Sequence, residues 1–424
     1  MSSAESDPRE RIDDRATVRP GFVRLTASDR PGVAQPVPER DIPQQPWPRI
    51  FAGAMLLMLL AVGAWEWRMR AVGLEAGDID DGPSAWAEQR RRVDAGESKV
   101  VFVGDSRMLF DSDLDRYEAL TGVRPIQLAI AGSNARPFLT EIADHSRFDG
   151  LVIVGIAHTS FLGADAGLGK GALERYRFES PSVHASFLLH RTLSRAFAFL
   201  DDRFRLSHLV HFLDNDWRAG VRIGTAERLW KLGVMRDDRQ TWLWPRIETD
   251  VRLRDHQREA WGIGAGRRPP PIKQAAIELA QRELRDAVAT IRARGGDVVF
   301  LRPPSDPRFR VFEEAQLPRA QAWDALLAAG GVMGLHSDDD PVTRELVPPE
   351  YSHLSRACAT VYTDAYVRAL AARTARVALR AGAPPPLTPC DCGMPPADLA
   401  SSVQDRSSPA PAEAGAAITS GTRP

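Results

Sequence analysis

The stretch Val100-Val101-Phe102-Val103-Gly104-Asp105-Ser106-Arg107 determines the fold that we expect for this chain. Its four apolar residues are typical of a strand that is buried on both faces. Gly104 permits a tight turn after the strand, and Ser106 stands where a helix would begin. The serine hydroxyl is therefore predicted to lie at the carboxyl end of a parallel sheet, where open α/β sheets bind their ligands.

Three similar apolar runs follow along the chain, with helical patterns between them. The runs are Ile126–Ile130, Leu151–Val154 and Val298–Leu301, and the helical patterns are Phe138–His145 and Ile272–Arg294. Short apolar strands that alternate with helices predict an α/β fold in which a mostly parallel sheet is covered on both faces.

A long insertion, residues 163 to about 270, interrupts this alternation. It contains amphipathic helical stretches and the tryptophans Trp217, Trp230, Trp242, Trp244 and Trp261. Two interpretations stay open. The insertion is either a lid, a partner surface or a substrate wall, or it is a helical subdomain with its own small core.

The predicted domain occupies residues 99–382, and the composition changes on either side of it. Residues 1–48 are polar and show no periodicity, so we expect them to be disordered. Residues 71–98 are interpreted as a linker. Residues 383–424 are rich in Pro, Ala and Ser, and we expect a disordered tail there.

A charge-free apolar run, Ile50–Trp65, predicts one transmembrane helix at residues 49–70. Trp47 and Trp65 can lie at the two membrane interfaces. A buried helix of a soluble protein and a cleaved signal peptide are the less favoured alternatives. The short Arg-containing tail before the span favours a cytoplasmic N-terminus, which places the domain on the extracytoplasmic side of the inner (plasma) membrane.

Composition excludes some classes of function. The formal net charge is -1, which gives no basic face for nucleic acid. Of the three cysteines, Cys358 lies in an apolar helical pattern and is expected to be a small buried side chain, whereas Cys390 and Cys392 lie in the tail. Their spacing does not match a metal site, and His336, before Asp338–Asp340, belongs to an expected exposed acidic turn. No metal or cofactor is predicted.

A second chemical motif, Glu350-Tyr351-Ser352-His353, lies near the end of the predicted domain and precedes a helical pattern. A serine hydroxyl is a weak nucleophile until a base removes its proton. A carboxylate often holds the histidine base in the right tautomer. Glu350 stands three residues before His353, so in a turn its carboxylate could reach one ring nitrogen while the other faces Ser106.

These two motifs resemble those of the SGNH (GDSL) hydrolase superfamily. That family places its serine in Gly-Asp-Ser after the first strand and its histidine in a late acidic-x-x-His segment. The resemblance implies a three-layer flavodoxin-like fold over roughly residues 99–375, with Ser106 as nucleophile, His353 as base and Glu350 as the orienting acid. The family's acid is usually Asp, so Glu350 departs from the pattern.

The resemblance also implies an oxyanion hole built from the N–H groups of Ser106 and Gly132. The family's third block usually supplies an Asn side chain, but the matching stretch here, Gly155–His158, has none. Asn134 could replace it from the neighbouring loop, because an amide donor is what the chemistry needs. Alternatively, Asn134 is a turn residue with a local backbone bond. His158 is expected to be structural.

The resemblance therefore leads us to expect a serine esterase or O-acyltransferase that acts on O-acyl groups, chiefly acetyl, of a cell-envelope glycan or on a small ester. A multi-pass membrane acyltransferase is an expected partner. The alternative is a non-catalytic SGNH-like module that binds glycan or a partner through the Trp-rich insertion. The missing third-block Asn favours that alternative, whereas the presence of both Ser106 and His353 favours the enzyme.

Overall fold

The computed structural model describes residues 45–157, 159–163, 168–204, 231–261 and 271–393, together with the backbone of residues 18–19 and 22–23. The chain forms two compact units, residues 1–62 and 63–424. In the first unit, two short strands, β1 (Val18–Arg19) and β2 (Phe22–Val23), pair antiparallel. The other residues of the predicted N-terminal tail, up to residue 44, lie outside the described residues.

Helix α1 (Trp47–Ala71) is long and apolar enough to cross a membrane. Its most apolar window is 0% buried within the protein. A core helix of a soluble domain would bury that surface, so the exposure agrees with the predicted single span at residues 49–70. The side of the membrane on which the domain lies does not follow from this helix.

The segment that follows α1 is part of the domain. Helix α2 (Pro83–Asp94) buries the whole of Trp86, whose indole N–H donates to the carbonyl of Leu128 at 2.9 Å. The prediction of a linker at residues 71–98 is therefore wrong, because this segment contains an internal helix of the domain.

The remaining strands form one large sheet and one hairpin. They are β3 (Val100–Gly104), β4 (Ile126–Gln127), β5 (Leu151–Gly155), β6 (Gly233–Met235), β7 (Thr241–Leu243), β8 (Asp297–Arg302) and β9 (Met333–His336). The large sheet has the order β4-β3-β5-β8-β9 and every pairing in it is parallel, while β6 and β7 pair antiparallel. Counted along the chain, the five strands have the order 2-1-3-4-5 of flavodoxin-like sheets, whose ligands bind where the order reverses, here between β3 and β5.

Helices cover both faces of the large sheet. The helices that follow α2 along the chain are α3 (Ser106–Asp111), α4 (Leu114–Thr121), α5 (Arg136–His145), α6 (Leu168–Phe178), α7 (Pro181–Ser194), α8 (Pro245–Thr249), α9 (Val251–Ala260), α10 (Gln274–Ala293), α11 (Pro307–Gln316), α12 (Ala325–Gly330) and α13 (Arg356–Arg373). Val101 and Val103 pack with α2, α5 and α10 on one face. Val100 and Phe102 pack with α3, α4 and α13 on the other. This double burial explains the continuous apolar runs, and the predicted α/β class with a mostly parallel sheet is confirmed.

Two strands differ from the prediction. Strand β4 ends at Gln127 rather than at Ile130, although the chain stays beside β3 because the N–H of Ile130 donates to the carbonyl of Gly104 at 3.1 Å. Strand β9 was not predicted. It is a half-exposed edge strand that contains Gly334, so it lacks the apolar run that marks the central strands.

The insertion has a small core of its own in the described residues 168–204 and 231–261. Val234, Leu243, Trp244 and Ile247 pack there with Met69 from the end of α1. The interpretation as a subdomain is thus supported, with the correction that it contains the β6–β7 hairpin as well as helices.

Two of the five tryptophans of the insertion are buried. Trp242 and Trp244 are buried, with 5% and 2% of their surfaces exposed. Trp217 and Trp230 lie outside the described residues. The alternative hypothesis, in which the Trp-rich insertion binds glycan or a partner, therefore cannot rely on Trp242 and Trp244.

The packed chain continues past the predicted boundary at residue 382. A disulfide joins Cys358 of α13 to Cys392, across 34 residues of sequence. The N–H of Leu387 donates to Asp364 at 2.9 Å, which holds the segment on α13. The expectation for Cys358 as an unbonded buried side chain is corrected by this pairing, and Cys390 is an exposed free thiol. Residues 394–424 lie outside the described residues.

Candidate active site

The turn after β3 requires its glycine. Gly104 pairs with Gly155 of β5, and a Cβ on Gly104 would lie 2.4 Å from the Gly155 carbonyl oxygen and 2.5 Å from Cβ of Met108. No side chain fits in that space. The absence of side chains at both glycines lets the first turn of α3 pack directly on the strand ends, and this places Ser106 at the carboxyl edge of the sheet.

Asp105 ties this turn to the loop after β5. One carboxylate oxygen caps α3 by accepting from the N–H of Arg107 at 3.0 Å. The other accepts from the N–H of Ala157 and from the hydroxyl of Ser160, each at 2.5 Å. Asp105 thereby fixes the start of α3, where Ser106 is half-buried. The sequence analysis identified the Gly-Asp-Ser pattern but missed this role, because it depends on a contact across the sheet.

The predicted acid and base lie together. Nδ1 of His353 lies 2.8 Å from Oε1 of Glu350, and the same oxygen accepts from the backbone N–H of His353 at 2.5 Å. Both side chains are completely buried. A carboxylate at this position favours the tautomer with the proton on Nδ1, which leaves Nε2 as the basic nitrogen.

Two aromatic side chains enclose the imidazole. The ring of Phe110 lies 4.6 Å from that of His353, and the ring of Trp261 lies 5.7 Å from it, between centroids. The indole N–H of Trp261 also donates to the second oxygen of Glu350. Sequence analysis missed this contact, since only the fold brings the end of α9 to the 350–353 loop.

His353 packs against the helix that begins at Ser106, without a hydrogen bond between the two residues. Phe110 stands one helical turn after Ser106 on α3, so the helix that begins with the serine packs against the imidazole. Nε2 of His353 is buried and has no hydrogen-bond partner among the described residues. The site therefore contains an oriented base whose reactive nitrogen is unpartnered in this conformation.

The loop that carries the base is held in an unusual backbone conformation. Tyr351 has a φ of 81°, which is uncommon for a residue other than glycine. Its ring lies between the guanidinium groups of Arg258 and Arg308, at 5.1 and 5.8 Å. Its carbonyl accepts from the N–H of Asp306 at 3.1 Å. Backbone strain of this kind persists only where the surroundings enforce it, and it concentrates at functional sites.

A buried carboxyl group lies close to the imidazole. Asp111, the last residue of α3, accepts from the N–H of Leu354 at 2.8 Å and is completely buried. Burial raises the pKa of Asp111 to about 7, against the opposing effects of the nearby His353 and of the Leu354 N–H. Asp111 was not singled out from the sequence, where it is one of many acidic residues.

A buried ion cluster supports the other side of the turn. Glu313 bonds to the guanidinium groups of Arg107 at 3.0 Å and Arg302 at 2.5 Å. Nε of Arg107 lies 3.5 Å from the hydroxyl of Ser352 in the base-bearing loop. Arg302, buried at the end of β8, therefore connects this cluster to the sheet.

Gly132 and Asn134, two of the residues predicted for the oxyanion hole, have different surroundings. Gly132 lies in an exposed turn with a φ of 72°, and this turn adjoins Gly104 because Ile130 is hydrogen-bonded to it. The amide of Asn134, by contrast, is fully used. It donates to the carbonyls of Phe161 and Gly163 at 3.4 and 2.7 Å and accepts from the N–H of Arg136 at 2.8 Å. The oxyanion role predicted for Asn134 would require these bonds to break, so this conformation favours its reading as a turn residue.

Of the two other histidines considered in the sequence, only His336 lies within the described residues. His158 lies outside the described residues. Nδ1 of His336 accepts from the N–H of Asp338 at 3.2 Å, while the Asp338 carboxylate bonds to Arg310. Within the ranges that the structure describes, no group of three or more potential ligands could hold a metal ion.

A cavity of about 150 Å³ lies beside the site. Phe110 and Ala131 form part of its wall, and Ala131 belongs to the same turn as Gly132. Asp80, Asp81 and Asp202 also line it, together with Arg203 and Lys231. A small polar molecule with hydroxyl groups suits such a lining, because carboxylates accept hydrogen bonds from hydroxyls.

The arrangement holds a buried histidine against a carboxylate, next to the helix that begins at Ser106. No protein-family model matches the chain, and no curated protein matches it significantly in sequence.

Proposed function

We propose that this chain is a membrane-anchored serine esterase or O-acyltransferase of the SGNH type, acting on O-acyl groups, chiefly acetyl, of a cell-envelope glycan. The observation that carries the proposal is the buried Glu350–His353 pair, whose imidazole packs against Phe110 of α3 and whose Nε2 is unpartnered. The flavodoxin-like strand order is consistent with an SGNH fold, and it puts the Gly-Asp-Ser turn at the reversal point of the sheet.

In the proposed reaction, Ser106 Oγ attacks the acyl carbonyl while Nε2 of His353 takes the hydroxyl proton. The carbonyl oxygen becomes an oxyanion, held by the N–H groups of Ser106 and Gly132. When the tetrahedral intermediate collapses, His353 returns the proton to the leaving alkoxide and the acyl group stays on Ser106. Glu350 keeps the imidazole oriented and stabilises its charged form throughout.

The second half of the reaction transfers the acyl group from Ser106 to water or to a sugar hydroxyl. Nε2 of His353 takes the proton of that acceptor as it attacks, and the serine hydroxyl is regenerated. The carboxylates of Asp80, Asp81 and Asp202 in the adjacent cavity support a hydroxyl-rich acceptor. A multi-pass membrane acyltransferase is the proposed source of acyl groups in the transfer version.

The reaction requires a rearrangement of the observed conformation. His353 is completely buried, and Trp261 and Phe110 cover its ring. Catalytic hydrogen bonds are often long or absent in free enzymes and form in the substrate complex. We propose that substrate entry displaces Trp261 from His353, after which Nε2 reaches Ser106.

We place the domain on the extracytoplasmic side of the inner (plasma) membrane. The Cys358–Cys392 disulfide supports this side, because such bonds persist in oxidising compartments and are rare in the cytoplasm. A reporter enzyme that is active only outside the cytoplasm, fused after residue 393, should be active. A cytoplasm-dependent reporter at the same position should not, and the reverse pattern would contradict the placement.

A fluorophosphonate probe, which labels activated serines, tests the chemistry. Labelling of the full chain should be lost in Ser106→Ala and kept in Ser146→Ala, a control at the end of α5. His353→Ala should also lose the label, because the hydroxyl is then not activated. Equal labelling of wild type and Ser106→Ala would refute the assignment of the nucleophile.

Complete burial of both acid and base, together with the engaged amide of Asn134, favours one alternative: a non-catalytic SGNH-like module that binds glycan or a protein partner. Such a protein would not react with the probe in any conformation. It would still bind acetylated glycan, and Ser106→Ala would leave that binding unchanged.

A further inference from the structure

The outer face of α7 carries no charge. Its exposed residues are all small, apolar or uncharged: Pro181, Ser182, Ala185, Ser186, Leu189, Thr192 and Leu193. Leu189 is 61% exposed and Leu193 is 43% exposed. The charged and titratable side chains of this helix face the protein instead, where Arg191 lies 3.6 Å from Glu88 and His184 lies 3.2 Å from Glu179. A water-facing helix usually carries charged residues on its exposed face, and the exposed face of α7 has none.

The C-terminal end of α7 is fixed to the last turns of α1. The N–H groups of Ala198 and Phe199, just beyond α7, donate to the two carboxylate oxygens of Glu66, each at 3.0 Å. The guanidinium of Arg70 donates to the carbonyl of Ala196 at 3.2 Å. The second unit therefore begins within the helix itself, with no flexible spacer between its last turns and α7.

The position of Glu66 in α1 indicates how deep in the membrane these contacts lie. The charge-free run of α1 ends at Trp65, so Glu66 is the first charged residue beyond the apolar part of the span. Trp67 is 72% exposed, and Arg68 and Arg70 are exposed beside it. Tryptophan and arginine are typical of the water–membrane interface. The contacts between Glu66 and the end of α7 thus lie at the level of the lipid headgroups.

We propose that the outer face of α7 lies in the boundary between headgroups and acyl chains of the membrane that α1 crosses. Leu189 and Leu193 contact acyl chains, and the exposed guanidinium group of Arg68 contacts lipid phosphates. The domain is thereby held on the bilayer at two places, α1 and α7. This inference rests on the membrane anchoring in the proposed function and is independent of the esterase chemistry.

Fluorescence quenching of the full chain in nanodiscs tests the proposal. In a Cys390→Ser background, Leu189→Cys is labelled with an environment-sensitive nitrobenzoxadiazole dye, one protein copy per disc. Val311→Cys on α11 is the matched control, since Val311 is also an exposed apolar residue, at 72%. An interfacial helix buries its apolar face by roughly 5–10 Å, so shallow doxyl lipids should quench the dye at position 189 at least about twofold more than at 311. Aqueous iodide should show the opposite preference.

Three outcomes of this quenching measurement would overturn the proposal. Quenching of residue 189 by iodide and not by doxyl lipid would overturn the proposal, and so would equal doxyl quenching at residues 189 and 311. A dye at 189 that is shielded from both quenchers would mean that protein covers α7, which also overturns it. Leu193→Cys repeats the measurement in case one substitution disturbs folding. Failure of the unlabelled protein to float with vesicles would instead refute the anchoring itself.

Discussion

Glu350 bonds to both Trp261 and His353. A double-mutant cycle measures the coupling free energy between Trp261 and Glu350. In the wild type, one oxygen of Glu350 accepts two donors from His353 and the other accepts the indole N–H of Trp261. In Glu350→Gln, one end of the side chain becomes a donor. The amide oxygen should face His353, because that orientation satisfies two donors, so the NH₂ group then faces the N–H of Trp261.

The size and sign of the expected coupling follow from these contacts. A hydrogen bond to a charged group contributes about 1.5–3 kcal/mol, so Trp261→Phe should lower the free energy of unfolding by about that amount in the wild type, besides any loss of packing. In Glu350→Gln, the same change removes a clash between two donors and should be neutral or stabilising. The packing loss is common to both backgrounds and cancels, which leaves a coupling of about 1.5–3 kcal/mol.

Urea unfolding of the full chain in detergent, followed by far-ultraviolet circular dichroism, measures the four free energies. The reasoning would be refuted if Trp261→Phe reduced stability by the same amount in both backgrounds. Turnover gives a second reading. Glu350→Gln keeps an acceptor for Nδ1 and so keeps the same tautomer of His353. Its loss of kcat should therefore be smaller than the roughly 10⁴-fold loss that follows when an amide in a catalytic triad selects the wrong histidine tautomer.

Three further changes test other parts of the molecule. Lys231 is buried between the carboxylates of Asp78 and Asp201, so Lys231→Met should lower the free energy of unfolding by about 3–5 kcal/mol, and a urea titration showing no loss would contradict this. Burial raises the pKa of Asp111 to about 7, so the folded state keeps a proton that the unfolded chain releases above about pH 4. Stability should therefore fall between about pH 4 and pH 7, and Asp111→Asn should flatten that fall in pH-dependent urea unfolding; an unchanged slope would argue against it. Asn134→Ala should lower the free energy of unfolding by about 1–3 kcal/mol and change kcat on an aryl acetate less than tenfold, whereas a fall of about 10²–10³-fold with unchanged stability would restore its oxyanion role.

The sheet was predictable because burial on two faces leaves a local signature. Four β-branched and aromatic residues in succession, as in Val100–Val103, are stable only as a covered strand. Helix α2 was not predictable in this way, because its pattern is dominated by charge. Its Arg90 is completely buried through an ion pair to Asp94 and a bond to the carbonyl of His145, a neutralisation that only the folded chain provides.

Some contacts of the candidate site could likewise be predicted from the sequence, and others could not. Glu350 and His353 could be paired from their spacing, since three residues of one loop suffice to bring them together. The contact of Trp261 with Glu350 spans 89 residues, and its direction depends on how the insertion packs. Asn134 was placed correctly in the turn after β4. The partner of its amide was not predictable, because the carbonyls of Phe161 and Gly163 come from another loop.

The disulfide at the end of the domain imposes an order on its biogenesis. Closing a loop of 34 residues removes about 4 kcal/mol of conformational freedom from the unfolded chain. Cys358 lies in the first turn of α13, directly after the loop that holds His353, and it leaves the ribosome before its partner Cys392. In the proposed extracytoplasmic location, the segment after His353 therefore gains this covalent support only once Cys392 has been translocated and oxidised. Recombinant protein from a reducing cytoplasm should lack this support even when every other element has folded.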